Sequence, residues 1–434
     1  MKGDARATGV GAEAAEPPRH GHLRRRSGVA TYFKLAASVI AVFAVSAAAV
    51  VAYAAVDLVR TVQQKPTVTL ANEQILEGVP DIGAIDGGLS FLLVGSDKRP
   101  ADGSFGDPDI DSAVLNDVTM LVHLAQDHSH VEVVSFPRDM LVSVPECPDP
   151  ADSANTLPAL FETPLNGVLQ WGGLACVALT IEQLTGVTIP VGGVVEFEGV
   201  AALAEAVGGV EVCLADPVDD DRSGLHLAAG RHLITGYTAL SFLRTRHGVG
   251  DGSDLGRIAS QQTFLASLAR TMQSSGTLGD PVKLYSIAKV ILSNMQLSNA
   301  LQNPVTLVAV ARALQAVDLS RITFVQYPTV YDYALRYVSP SESAELVNLA
   351  LQQDLPLAVN PDATTNASFG TIPDPTAPTP APPPAVPPAT EPGRGASVTP
   401  TPAPTPSVPP ATVLPDDVTG LSADEVRCAT ANPG

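Results

Sequence analysis

The sequence has 434 residues, 45% hydrophobic and 16% charged, with 38 prolines and a formal net charge of -20, enough for one large or two modest domains. Residues 1–34 hold seven Lys/Arg and three Asp/Glu, so the remainder carries 18 basic and 42 acidic residues. A body that acidic excludes nucleic-acid binding through a bulk positive field and leaves any anionic ligand to focused arginines or a divalent metal.

Residues 1–34 are rich in Gly, Ala, Arg and Pro without an apolar period, which predicts a disordered cytoplasmic segment. Residues 35–56, LAASVIAVFAVSAAAVVAYAAV, contain no charge. As a helix rising ~1.5 Å per residue they reach ~33 Å, enough to cross a bilayer core. The residues just before it include Arg24, Arg25, Arg26 and Lys34, so the positive-inside rule puts the N-terminus in the cytoplasm and the rest outside a single-pass anchor in the cell membrane. Ala52-Tyr53-Ala54 has the form of a signal-peptide cleavage site; signal h-regions run only ~7–15 residues, and an uncleaved anchor is the expectation.

Residues 57–85 read as a stalk, and strand and helix signals alternate over 86–355. LSFLLVGSD (89–97) is a buried-strand run ending in a turn, followed by strands VTMLVHLA (118–125) and VEVVSFP (131–137). LACVALTIEQLTG (174–186) and VAALAEAVGG (200–209) have helical spacing and glycine stops. VEVCLA (210–215) reads as a strand, and TALSFLRTRH leads into a Gly/Asp loop (248–254) before a helix from Leu255 to about Met272. Residues 283–316 read as mostly helical, ITFVQYP (322–328) as a strand and 341–353 as a last helix. The alternation predicts an α/β protein: a three-layer α/β/α sandwich around a mixed, largely buried sheet. Sixteen prolines among residues 371–413 predict that 356–416 is a disordered linker, leaving 417–434 as a short Cys-containing segment.

Cys147, Cys176, Cys213 and Cys428 form no CxxC and lie in no zinc-spaced cluster, so an exported chain favours disulfides. Three connectivities are open. Cys147–Cys176 with Cys213–Cys428 is preferred, against the alternative of buried free thiols.

No GxSxG, HExxH or Walker loop is present, and no GxGxxG follows a strand, which removes support from most hydrolase and kinase readings. Acids and arginines stand at strand ends instead: Asp97 and Arg99 in VGSDKR, Asp117 in LNDVTMLVHL, Arg138 and Asp139 in SFPRD. Arg244 and Arg246 in FLRTRHG are two apart, which on a strand points both guanidiniums to one face. Arg257 and Gln261 are four apart, which on a helix stacks them. Arginine's planar fork suits phosphate oxygens, and Asp97 with Asp117 could hold Mg²⁺. Each signal alone has a bland reading as a turn residue, a structural ion pair or a solvated edge.

The succession VGSDKR, NDVTMLVHL, VVSFPRD, LNGVLQWGGLAC (with Asn166 and Gly172-Gly173), VEFEGVAALAEAVGGVEV, ALSFLRTRHG and SDLGRIASQQTFL resembles the ordered motifs of the LytR–CpsA–Psr family. The resemblance covers residues 88–270 directly, and an Ala/Pro-rich composition suits an actinobacterial member. It implies an enzyme of cell-wall assembly that moves a glycopolymer from a polyprenyl-pyrophosphate carrier onto peptidoglycan. It also implies that Asp97 and Asp117 are acids on the magnesium side, and that Arg99, Arg138, Arg244, Arg246, Arg257 and Gln261 line the pyrophosphate. Arg246, Arg257, Asp97 and Asp117 would be catalytic, and residues such as Val195, Phe197, Leu203 and Phe264 would line a tunnel for the lipid tail. Two departures stand out: Leu115-Asn116-Asp117-Val118 replaces an Arg-Ser-Asp-Thr pattern, and Ser260 replaces an arginine. The rival readings are a non-catalytic envelope protein that binds polyprenyl lipids and a pyrophosphatase on the same lipids.

Overall fold

A computed structural model of the chain describes residues 28–63, 67–76, 85, 87–98, 114–152, 154–274, 280–360, 369–370 and 410–432. The chain divides into two compact units, residues 1–56 and 57–434. The first contains most of helix α1 (Gly28–Gln63). Residues Thr31–Thr61, with a mean hydropathy of 2.5, are long and apolar enough to cross a membrane, and the side chains of Phe33, Ile40, Phe43 and Val50 are exposed.

In the second unit the elements follow in this order: β1 (Leu89–Ser96), β2 (Asn116–Leu124), β3 (Val131–Phe136), α2 (Val168–Thr185), β4 (Val191–Glu196), α3 (Phe197–Ala206), β5 (Val210–Leu214), β6 (Gly230–Ile234), α4 (Gly236–Arg244), α5 (Asp254–Gln273), α6 (Pro281–Asn294), β7 (Met295–Leu297), α7 (Pro304–Ala316), β8 (Ile322–Gln326), α8 (Ala344–Gln352), β9 (Gly420–Ser422) and β10 (Cys428–Ala429). The main sheet runs β7-β4-β1-β2-β3-β8-β9. It is mixed: β1 with β4 and β3 with β8 are parallel, and the other neighbours are antiparallel.

Alternating side chains on these strands build two cores. Leu92, Val94, Leu121 and Val134 cluster with Val177 and Ile181 of α2 and Val347 and Leu351 of α8. Their neighbours Met120, Val122, Val133 and Phe324 cluster with Ala266 of α5, Leu292 of α6 and Ala313 of α7. A period of two thus feeds both faces, which is why these strands read as continuous apolar runs. Each fully buried Leu or Val contributes roughly 1.5–3 kcal/mol. The layers are those expected from the sequence.

Several local expectations differ. Arg244 ends helix α4, so Arg244 and Arg246 do not alternate along a strand: Ala239, Leu240 and Phe242 bury a helical face, and tertiary packing decides so short a segment. The stretch expected to be mostly helical is broken by β7, which pairs with β4. Val210–Leu214 is a strand, but of a second sheet ordered β6-β5-β10 with Phe369–Gly370 at its edge. Helix α1 continues to Gln63, and Leu70 is 2% exposed, so part of the expected stalk belongs to the folded body. The ends of the expected linker, Leu357–Ala358 and Thr412–Val413, pair with each other, while its proline-rich middle lies outside the described residues.

Both preferred disulfides are present, Cys147–Cys176 and Cys213–Cys428. The first sits against a break in α2, where Gly173 has φ +66°. A Cβ at Gly172 would lie 2.6 Å from the Cys176 Sγ, so the Gly-Gly pair makes room for the bridge.

Candidate functional site

β1, β2 and β3 bring their acids and arginines to one end of the sheet. The β1–β2 ladder closes with Ser96 opposite Asn116 after an irregularity at Gly95/Ser96, which sets Asp97 and Asp117 at the same end of the sheet. Asn116 is buried; its amide nitrogen donates to Thr119 Oγ1 (2.9 Å) and its Oδ1 accepts from Leu169 N (3.2 Å). The departure from the family pattern at this position is therefore a packing device tying β2 to α2. Asp97 Oδ1 accepts from Leu115 N at 2.7 Å, tying the residue after β1 to the residue before β2.

Arginines and aspartates alternate across this end. Arg138, just past β3, places Nη1 2.5 Å from Asp117 Oδ1, and its Nε lies 3.5 Å from Asp254 Oδ1 and 3.7 Å from Asp139 Oδ2. Arg257 reaches Asp254 Oδ1 with Nη2 at 2.6 Å and donates to the Asp117 carbonyl at 2.8 Å. The base of α5 is held by the Ser253 side chain, which accepts from Leu255 N and Gly256 N. Asp254 follows at the first helical position, favourable for an acid at a helix N-terminus.

Burial opposes the charge of Arg138, yet the facing carboxylates of Asp117, Asp254 and Asp139 outweigh it and hold its pKa above the usual arginine value. In Arg257, whose side chain is 6% exposed, burial prevails over Asp254 and Asp117 and lowers the pKa. Burial likewise raises Asp139 in spite of Arg138. These guanidiniums sit in a partly dry pocket, where a charge partner counts for more than in water. The Nε atoms of Arg138, Arg246 and Arg257 are all buried and make no hydrogen bond among the described residues. Three unsatisfied arginine donors around one spot suit an oxyanion.

Against this polar cluster opens an apolar cavity of about 260 Å³. Leu93, Val195, Leu203, Leu240, Phe264 and Leu268 line it, and Asp117, Arg244, Arg257 and Gln261 form its polar wall. Gln261 spends its amide nitrogen on the Leu243 carbonyl (3.1 Å), which anchors the end of α4 next to Arg244. A second, more polar cavity of about 1090 Å³ shares Ser96 and Glu196 with the first and runs past Lys98, Asp149 and Gly173.

Of the sequence-selected residues, the structure gathers Asp117, Arg138, Arg244, Arg246, Arg257 and Gln261 around one end of the sheet, with Asp97 at its rim. Arg99 and the side chain of Phe197 lie outside the described residues. Asp254 was not selected. Its signal was a serine-aspartate helix start with the acid three residues before Arg257, the (i, i+3) spacing of a helical ion pair.

Residues 51–352 match the LytR_cpsA_psr family. The chain is 34% identical over 239 residues to the cell wall biosynthesis protein LcpA of Corynebacterium glutamicum, covering 49% of this chain and 45% of that one. It is 26% identical over 208 residues to the polyisoprenyl-teichoic acid–peptidoglycan teichoic acid transferase TagU of Bacillus cereus, covering 48% and 60%. The chain thus spans about half the length of the curated relatives it matches. Among solved structures, it is similar to a LytR-Csp2A-Psr enzyme from Actinomyces oris, with a TM-score of 0.46 and 20% identity over 61% of this chain and 90% of that one.

Proposed function

Because the chain belongs to the LytR_cpsA_psr family, we propose that it is an extracytoplasmic, membrane-anchored transferase moving a glycopolymer from a polyprenyl-pyrophosphate carrier onto peptidoglycan. The observation that carries this reading is the cluster of three arginines with unsatisfied buried Nε donors, Arg138, Arg246 and Arg257, the last of which reaches the wall of an apolar cavity beside Arg244. An amphiphile with a pyrophosphate head and a hydrocarbon tail matches both halves. Relatives named for cell-wall biosynthesis and for teichoic-acid transfer to peptidoglycan support the class of donor and acceptor.

In this mechanism Arg138, Arg246 and Arg257 take the pyrophosphate oxygens, with Arg244 at the cavity wall, and the cavity takes the first isoprene units. The acceptor sugar's hydroxyl oxygen bonds to the glycan-side phosphorus as the bond to the polyprenyl phosphate breaks. The hydroxyl proton passes to Asp117 or Asp97. The larger polar cavity beside Ser96 and Glu196 offers room for saccharide. Asp97 and Asp117, hard oxygen donors at one end of β1 and β2, are the residues that would hold a magnesium ion; when bound, Mg²⁺ would supply neutralisation of phosphate charge. The protein's own contribution is positioning and electrostatic stabilisation.

The test is transfer by the purified protein, given a polyprenyl-pyrophosphate glycan and peptidoglycan. Arg246→Ala and Arg257→Ala should each lower the rate roughly 30- to 1,000-fold, for a loss of about 2–4 kcal/mol of transition-state stabilisation. A parent that binds the lipid yet forms no linked product and releases no phosphate with any metal would be a lipid-binding protein, and the transferase reading would fall. Release of the glycan to water without an acceptor would make it a pyrophosphatase.

A further inference from the structure

The loop between Arg246 and Asp254 carries both flanks of the arginine cluster, yet its own internal backbone bonds are sparse: Val249 N to Arg246 O at 3.5 Å and Gly252 N to Val249 O at 3.1 Å. A segment far away in sequence holds it. Gly250 N donates to Thr430 O (2.9 Å), Asn432 N donates to Gly248 O (3.2 Å), and Val249 bridges Ala431 as an antiparallel pair. Val249 is fully buried in the cluster that contains Ala429, Phe242 and Phe264. At Gly252, where φ is +78°, a Cβ would approach the Asn432 side chain to 2.7 Å, so the two strands of the contact lie close.

Residues 420–432 are themselves firmly seated. Gly420–Ser422 extends the main sheet along β8, and Arg270 Nη1 donates to the carbonyls of Ala423 (2.6 Å) and Glu425 (2.8 Å). Ala215 N donates to Ala429 O at 2.9 Å, and Cys428 is bonded to Cys213 across 215 residues of sequence. The disulfide therefore delivers Thr430–Asn432 to the loop as a preorganised strand.

We propose that Thr430–Asn432 is a positioning element of the anion site: latched by Cys213–Cys428, it holds the 248–252 loop so that Arg246 and the Asp254–Arg257 pair converge on one phosphate group. The ligand class rests on the pyrophosphate reading above, whereas the clamp itself does not. Without it, Arg246 and the first turn of α5 lose their shared support, and the arginines keep their charge but not their convergence. Neither Thr430 nor Asn432 touches the ligand; they act through the loop.

The experiment compares three proteins in detergent: the full-length parent, a chain ending at Ala429, and full-length Asn432→Pro, which removes the donor to Gly248 O. Both variants retain Cys428 and β9. Backbone hydrogen exchange over 248–255 should accelerate about tenfold or more in both variants. The melting temperature of the body should stay within a few degrees, and affinity for inorganic pyrophosphate should fall about tenfold. Adding back a peptide spanning Ala429–Gly434 should restore part of both signals in the shortened chain, which a general loss of stability would not permit. Unchanged exchange over 248–255 overturns the proposal, as does loosened exchange with undiminished pyrophosphate affinity. If the parent itself does not bind pyrophosphate, the ligand half of the proposal is lost together with the pyrophosphate reading, and the exchange rates alone decide the clamp.

Discussion

The Asp254–Arg257 pair gives a sharp test of how stability and function divide at this site. Asp254 has a side chain 8% exposed and Arg257 one 6% exposed, with 2.6 Å between charged atoms. Removing one partner of a buried pair typically costs about 3–5 kcal/mol, because the other charge is left uncompensated. Here the loss is cushioned: Arg257 keeps its bond to the Asp117 carbonyl at 2.8 Å. Asp254→Ala also forfeits the 3.3 Å bond from Arg138 N, worth about 1 kcal/mol. The expected cost is about 2–4 kcal/mol. Arg257→Met in the same chain removes the stranded charge, so Asp254→Ala/Arg257→Met should recover at least ~1.5 kcal/mol relative to Asp254→Ala alone. The double variant should nevertheless be inactive in transfer, since the anion ligand is gone. Urea denaturation of a fragment beginning at Asp57 measures the four corners of the cycle. A coupling energy below about 0.5 kcal/mol would refute the idea that this pair is a desolvated ion pair.

Three further outcomes are expected. Burial holds the Glu132 carboxyl well above the usual carboxylate range, against the opposing bond from Leu357 N. The unfolded chain loses that proton first as pH rises, so its contribution to stability declines above the ordinary glutamate pKa; the melting advantage of Glu132→Gln over the parent should grow from roughly pH 5 to pH 8, and a pH-independent difference would contradict it. Denatured, unreduced protein should show no free thiol among the described cysteines, and Cys147→Ser, which opens a loop with a sequence separation of 29, should cost about 3–4 kcal/mol in the chain-entropy view; detection of four titratable thiols would contradict both. Leu268→Trp puts an indole into the wall of the apolar cavity and should reduce binding of a polyprenyl phosphate about tenfold or more with little change in melting temperature; undiminished lipid affinity would show that the tail binds elsewhere.

The sheet was legible because its central strands are buried on both faces: LSFLLVG and VEVVSF are mostly apolar, interrupted by the buried Ser90, Glu132 and Ser135. Local signals failed where an element is too short to carry its own pattern. β7 has three residues, Met295–Leu297, and exists because Gly193 of β4 offers it an edge. Gly420–Ser422 and Cys428–Ala429 carry no strand signature either; partners distant in the chain, Thr323–Val325 and Leu214, make them strands. The arginines were visible one by one, but their convergence was not, since spacing alone suggested a strand at Arg244 where the apolar face of α4 makes a helix. Asp254 was hidden for a related reason: at a helix start it reads as a capping acid, and only the fold brings Arg138 to its other side.

That second partner changes how an acidic protein can present a cationic site. Arg138 and Arg257 are not bare charges in the free protein; Asp117 and Asp254 already neutralise them, which lets four arginines, Arg138, Arg244, Arg246 and Arg257, gather near one spot in a folded body. An anion entering the cluster competes with Asp117 for the same Nη1 of Arg138, held at 2.5 Å. In the proposed mechanism, then, binding the pyrophosphate and releasing the Asp117 carboxylate are one exchange. The carboxylate becomes available to take the acceptor's proton, or to hold a cation, only when a donor substrate occupies the arginines. The same exchange guards against idle chemistry, because a carboxylate oxygen held by the Arg138 guanidinium is not free to meet the acceptor's hydroxyl.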